Sequence, residues 1–176
     1  MRNSSFANAG IAVTVSAEDI LSSNNDPLAL LRFQQEVERK MFVVGGGNIS
    51  APTQRMTDFC NNKLSSSLNS SSYLGECISA PLHELLPQMI AQPLREAFHI
   101  FGKKMKGFYT EYANIHAVES RTSSPVRILR NEQYEHVQLK NLYPCGEGAG
   151  YAGGIVSSAM DGINCMNQIA IKNKEV

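Results

Sequence analysis

One stretch of the chain is the best candidate for chemistry: Tyr143-Pro144-Cys145-Gly146-Glu147-Gly148-Ala149-Gly150-Tyr151-Ala152-Gly153-Gly154-Ile155. Five glycines surround one acid, and the run leads straight into an amphipathic helical pattern. Glycine lets backbone approach a ligand where a Cβ would not fit. A helix start offers unpaired N–H groups and a partial positive charge, so an anionic or electron-rich group is stabilised there. The acid within the loop suits a hydroxyl-bearing ligand. A nucleotide cofactor meets all three conditions, and a tight packing turn without a ligand is the plainer alternative.

Other candidates carry less. Val43-Val44-Gly45-Gly46-Gly47-Asn48-Ile49-Ser50 imitates a GxGxxG fingerprint, but a helical pattern precedes it where a strand is needed and Pro52 follows where a helix should begin. It reads as a helix stop. Arg121-Thr122-Ser123-Ser124-Pro125-Val126-Arg127 sets two guanidinium forks around three hydroxyls, which suits a carboxylate or phosphate, or else a polar turn. Cys145 lies in the glycine loop with no histidine or second cysteine beside it in sequence, so it reads as a small thiol and not a nucleophile. Ser157 and Ser158 read as helix-surface hydroxyls. Cys60, Cys77, Cys145 and Cys165 form no CxxC pair, and His83, His99, His116 and His136 show no HxxxH spacing. No zinc site is expected. With no export signal at the start, no disulfide is expected either.

Periodicity predicts the helices and strands on which these residues sit. Ile11 to Val15 alternates and is β-branched, which predicts a strand. Asp26-Pro27 marks a helix start, Leu30, Phe33, Val37 and Met41 recur at helical spacing, and Gly45-Gly46-Gly47 ends that helix. A second helix is predicted over 53–61, then a mobile serine-rich loop from Leu64 to Ser72. Ile90, Leu94, Ala97, Phe98, Phe101 and Met105 predict a long helix over 87–104, kinked at Pro93. Short strands are predicted over 115–119 and 125–129. A last helix over 154–172 carries an apolar stripe of Ile155, Ala159, Ile163, Met166 and Ala170, opposite Ser157, Asp161, Asn164 and Gln168.

The 176 residues balance 16 basic against 16 acidic side chains, so neither nucleic acid nor an anionic membrane is an expected partner. No apolar run reaches transmembrane length, and a cytoplasmic location is the expectation. The pattern is α+β, mainly helical with a few short strands. A cofactor loop of this kind ordinarily belongs to a parallel α/β sheet, and the chain has too few strand candidates to build one.

The run Leu142 to Ile155, continued by Ser157 to Ile163, resembles the C-terminal end of a family of FAD-dependent dehydrogenases. Arg121 to Ile128 and Arg2 to Gly10 resemble the same family, in the same order. Members of that family are longer and carry a Rossmann fingerprint in an N-terminal part that has no counterpart here. The resemblance implies a fragment of a Rossmann-type FAD-binding α/β protein with an inserted substrate/cap domain. Residues 1–120 would belong to the cap, and 121–176 would form the C-terminal FAD-facing segment of strand, glycine loop and helix. It implies cofactor contact by Gly146, Glu147, Gly148, Ala149, Gly150, Tyr151, Ala152, Gly153, Gly154 and Ile155. Glu147 would accept a hydrogen bond from a ribityl hydroxyl, and the last helix would point its N-terminus at the flavin pyrimidine. Arg121 and Arg127 would line the substrate side. FAD would be the cofactor of the complete oxidoreductase, NAD(P)H its electron donor or acceptor, and the missing Rossmann portion the partner of this chain. Alone, the chain is expected to be inactive. A non-catalytic α+β interaction domain is the alternative, and a Ser or Cys145 hydrolase a third with little behind it.

Overall fold

The structure, a computed structural model, describes residues 5–20 and 26–174. It is α+β, with five helices and one three-stranded sheet among the described residues. The elements are α1 (Ala29–Val44), β1 (Ala51–Arg55), α2 (Met56–Cys60), β2 (Cys77–Ser79), α3 (Leu82–Leu85), α4 (Gln88–Lys104), β3 (Asn114–His116) and α5 (Ile155–Lys172). The chain divides into two compact units. The first comprises Met1–Ser16 and Gln35–Val118, the second Ala17–Gln34 and Glu119–Val176.

In the first unit β1 is the central strand, parallel to β2 and antiparallel to β3. A parallel pair needs a crossover, which α2 and the serine-rich loop supply. The helix predicted over 53–61 therefore begins as a strand. Thr53 and Gln54 are fully buried, so β1 shows none of the apolar alternation that announces a strand. Each polar group is matched instead. The Thr53 hydroxyl donates to Ala51 O at 2.9 Å. Gln54 donates through Nε2 to Lys63 O at 2.6 Å, lies 2.8 Å from His83 Nδ1, and accepts from His83 N–H at 3.2 Å. Buried polar atoms left unmatched would cost about 1–3 kcal/mol each.

Around this strand pack Met41, Met56, Phe59, Cys60, Ala80, Leu82, Leu86, Ala91, Leu94 and Phe98. Phe59 meets Phe98 edge to face at 6.0 Å. The predicted strand at Ile11 to Val15 does not form; Ile11 and Val13 lie against this core without joining the sheet. Helix α4 continues through Pro93 and buries Ala91, Leu94 and Phe98. Helix α1 ends as its glycines require: Gly46 and Gly47 have φ of +87° and +71°, and Gly47 N–H reaches back to Phe42 O at 2.9 Å.

The serine-rich loop, read as mobile, is tied at every second residue. Ser65 accepts from Arg55 N–H at 2.9 Å and donates to Asp58 Oδ2 at 2.7 Å. Ser67 accepts from Arg55 Nη2. Asn69 exchanges bonds with Asn114 and donates to Glu111 O. Ser71 lies 3.1 Å from His116 Nε2. Because the Thr53 hydroxyl proton is already given to Ala51, Thr53 Oγ1, 2.9 Å from His116 Nδ1, acts as acceptor. Nδ1 therefore carries the ring proton, and Nε2 accepts from Ser71. Tyr73 stacks on the ring at 5.7 Å.

Partial burial of the ring, one edge of which stays exposed, holds the His116 pKa below its ordinary 6.5. The unfolded chain then binds more protons than the folded one as pH drops. The stability linked to His116 is complete above about 6.5 and is lost as pH falls through the lower folded value. We expect the His116 ring resonance to titrate below 6.5 in NMR and His116→Gln to flatten the acid side of the urea-stability profile. A midpoint at or above the ordinary value would contradict this arrangement.

Candidate functional site

The second unit contains the glycine loop and α5. Within the loop two glycines are required by the fold itself. Gly146 and Gly150 have φ of +71° and +82°. A Cβ on Gly150 would also stand 2.5 Å from Val126 O and 3.0 Å from Arg127 Cα, contacts that backbone cannot relieve. Gly150 N–H closes a turn onto Glu147 O at 2.9 Å, and Tyr151 N–H reaches Gly146 O at 3.0 Å. The other three glycines differ. A Cβ on Gly148 or Gly153 meets nothing within 4 Å, and one on Gly154 meets only Ser157 Oγ at 3.7 Å. None of these three has a left-handed backbone. Glu147, immediately before Gly148, is exposed.

Residues 124–128 clasp the loop. The strand predicted over 125–129 does not form, because its polar groups serve the loop and not a ladder. Ile128 N–H donates to Ala149 O at 3.1 Å, and Ser124 Oγ donates to Val126 O at 2.8 Å. Arg127 Nε donates to Gly150 O at 3.0 Å, with its guanidinium 5.1 Å from the Tyr151 ring centre. Arg127 is thus brought to the loop as a brace. Arg121 is exposed.

The residue that joins loop to helix is one that sequence reasoning passed over. Arg130 makes a two-point pair with Asp161, Nη2 to Oδ1 at 2.6 Å and Nη1 to Oδ2 at 2.9 Å. Their side chains are only 10% and 12% exposed. Nη1 also donates to Pro144 O at 2.8 Å, and Asp161 Oδ2 accepts Gly146 N–H at 2.8 Å. The guanidinium carbon lies 3.6 Å from the Tyr151 ring centre and 4.0 Å from that of Tyr134. Tyr151 further accepts Arg130 N–H through its hydroxyl at 3.2 Å. The Arg130 hydrogen bonds hold the Asp161 carboxyl below the usual carboxylate range. The only sequence signal for this pair was an acid, Asp161, on a helix otherwise rich in apolar residues.

Helix α5 is built inside out relative to an ordinary surface helix. Its inner side presents Asp161 and the buried Cys165, and Lys172 near its end binds Glu135 at 2.9 Å and Tyr143 at 3.1 Å. The stripe predicted from Ile155, Ala159, Ile163, Met166 and Ala170 faces outward. Ile155 is 92% exposed and Val156, Met160, Ile163 and Met166 all exceed half. Contiguous exposed apolar faces are uncommon on soluble proteins outside binding surfaces. The helix begins at an N-cap Gly154 in extended conformation, with no side chain capping its first N–H groups.

Among the described residues no group of three or more His, Cys, Asp or Glu could hold a metal, and no helix is long and apolar enough to cross a membrane.

A family described as "FAD-dependent protein, C-terminal domain-like" matches residues 1–122. An uncharacterized protein of Clostridium beijerinckii is 42% identical over 168 residues, which cover 94% of this chain and 31% of that relative. The chain thus spans about a third of the length of the relative it matches. A match of that extent takes in the glycine loop, which lies beyond the residues matched by the family.

Removing one member of a buried ion pair strands the other and costs about 3–5 kcal/mol. Asp161→Asn should lower stability on that scale in chemical denaturation and expose the amide of Gly146 to hydrogen exchange. Stability within about 0.5 kcal/mol of wild type, the range of ordinary surface substitutions, would mean that the pair does not anchor the loop.

Proposed function

Because the chain belongs to the family of FAD-dependent proteins with this C-terminal-domain-like region, we propose that it is the C-terminal portion of an FAD-dependent oxidoreductase, with the glycine loop and the start of α5 facing the flavin. The observation that carries this reading is the division among the loop glycines. Gly146 and Gly150 are glycines for the sake of this chain's own backbone. Gly148, Gly153 and Gly154 are neither crowded nor left-handed, so their backbone is open to close approach by a ligand.

The residues present fit FAD. Its flavin supplies electron or hydride transfer when bound. The exposed Glu147 carboxylate would accept a ribityl hydroxyl, Gly148 and Gly153 would let backbone approach, and the uncapped N–H groups after Gly154 would face the electron-rich edge of the ring. Ala149, Tyr151, Ala152 and Ile155 complete the proposed contact segment. Residues 1–120 would form the substrate/cap part, with Arg121 and Arg127 toward the substrate; Arg127 would do so while braced on Gly150. The outward face of α5 would be covered by the Rossmann portion, for which the much greater length of the relative leaves room. The reading gives the chain no activity by itself. A nicotinamide nucleotide as electron partner rests on the family resemblance alone. A non-catalytic interaction domain, the second reading, would use the same apolar face of α5.

In the full-length protein, Glu147→Ala should remove a charge-assisted hydrogen bond worth about 1.5–3 kcal/mol, a loss of roughly ten- to a hundredfold in FAD affinity. Gly154→Val adds bulk where the fold tolerates it, and should weaken flavin binding with the melting transition little changed. FAD titration and thermal unfolding measure the two separately. Wild-type flavin affinity in both variants would refute the contact.

A further inference from the structure

Three side chains from separate parts of the first unit converge on the His116 ring. Thr53 of β1 faces His116 across the β1–β3 ladder, and its Oγ1 accepts from Nδ1 at 2.9 Å. Cys77 of β2 lies 3.8 Å from the same nitrogen. Ser71 of the serine-rich loop stands at the other nitrogen, 3.1 Å from Nε2. Because the Thr53 hydroxyl proton goes to Ala51 O, Nδ1 carries the ring proton and Nε2 is bare. The ring therefore accepts from Ser71 and offers no base to the Cys77 thiol. Ser71 Oγ also accepts the Tyr73 N–H at 3.1 Å.

A hydroxyl directed at the bare nitrogen of an imidazole, whose other nitrogen is fixed by a buried acceptor, is the arrangement of a nucleophile with its general base. We propose that Ser71 and His116 form a hydrolytic pair acting on small apolar carboxylic esters. Ser71 is only partly buried and His116 is exposed, so a small ester can reach both. Partial burial keeps the ring pKa below 6.5, which leaves Nε2 free to take a proton at neutral pH. The Tyr73 N–H favours the negative charge that grows on Oγ as its proton leaves. Ile49, Tyr73 and Leu74 are exposed beside the pair, with the Tyr73 hydroxyl tied to Ile49 O at 2.7 Å, and they offer an acyl chain an apolar surface. This inference rests on the first unit's own geometry and does not depend on the flavin reading.

The reaction balances in two steps. Ser71 Oγ attacks the ester carbonyl carbon while Nε2 takes the hydroxyl proton. The bond to the alcohol oxygen breaks, that oxygen receives the proton from Nε2, and the acyl group remains on Ser71. Water then attacks the acyl carbon and gives a proton to Nε2. The acyl–Oγ bond breaks, the proton returns to Oγ, and the carboxylic acid leaves. Thr53 supplies a neutral oxygen where a carboxylate would hold the developing imidazolium more strongly, so turnover is slow.

The test is to treat the full-length protein with an alkyl fluorophosphonate, which phosphonylates activated serines, and to map the adducts by mass spectrometry. Hydrolysis of p-nitrophenyl butyrate is followed in parallel. We expect an adduct on Ser71 in native buffer that is absent in urea. Ser71→Ala should lower ester hydrolysis, and folded His116→Gln should slow labelling of Ser71 by about a hundredfold or more. Should His116→Gln unfold, the wild-type adduct map decides alone. Wild-type protein without an adduct on Ser71, or with one that forms equally fast in urea, would overturn the proposal. So would undiminished labelling of Ser71 in folded His116→Gln, or undiminished hydrolysis in Ser71→Ala.

Discussion

The second unit depends on one ion pair. A glycine-dense loop has little side-chain surface with which to pack, and its backbone entropy opposes a single conformation. Arg130 and Asp161 supply the missing constraint. Between them they take up Pro144 O and Gly146 N–H from the loop while Asp161 belongs to α5. Two tyrosines flank the guanidinium and keep water from the pair. A buried ion pair often contributes little net stability, because desolvation offsets the attraction. Its value here is geometric: the bidentate fork has one low-energy orientation, and that orientation fixes the loop against the helix. Glu147, Gly148 and the N-terminus of α5 are presented from this fixed base.

The first unit uses the same strategy with neutral groups. β1 buries Thr53 and Gln54, and each hydrogen bond they make specifies a neighbour: Ala51, Lys63, His83 and His116. The serine-rich loop is held by side-chain oxygens acting as donor and acceptor at once, Ser65 most completely. Polar networks of this kind define one arrangement when every member is satisfied.

That strategy decides what could be read from the sequence. Helices α1, α4 and α5 lie within two residues of where apolar spacing puts them, and the stop at Gly45-Gly46-Gly47 follows from glycine chemistry. β1 was illegible because its most deeply buried side chains, Thr53 and Gln54, are polar. Serine content suggested mobility at 64–72, since composition cannot reveal that the hydroxyls have partners. Ile11 and Val13 alternate as a strand does, yet the alternation serves packing alone. In the candidate site the loop and helix were legible from glycine, acid and helix start. Arg130 was not, because its partner lies 31 residues away and nothing local announces it. The direction of α5 was half legible: the stripe was visible, but periodicity cannot say that Asp161 and Cys165, and not the stripe, face the rest of the unit.

In the reading proposed above, the bare crest of the glycine loop and the start of α5 meet the flavin of a longer protein. Hydrogen–deuterium exchange of the full-length protein, with FAD bound and after its removal, addresses this most directly. Exchange with FAD should slow at the amides of residues 147–157, with the amide of Gly146 slow in both states because Asp161 already holds it. Equal exchange at 147–157 with and without FAD, alongside protection elsewhere in the protein, would contradict it.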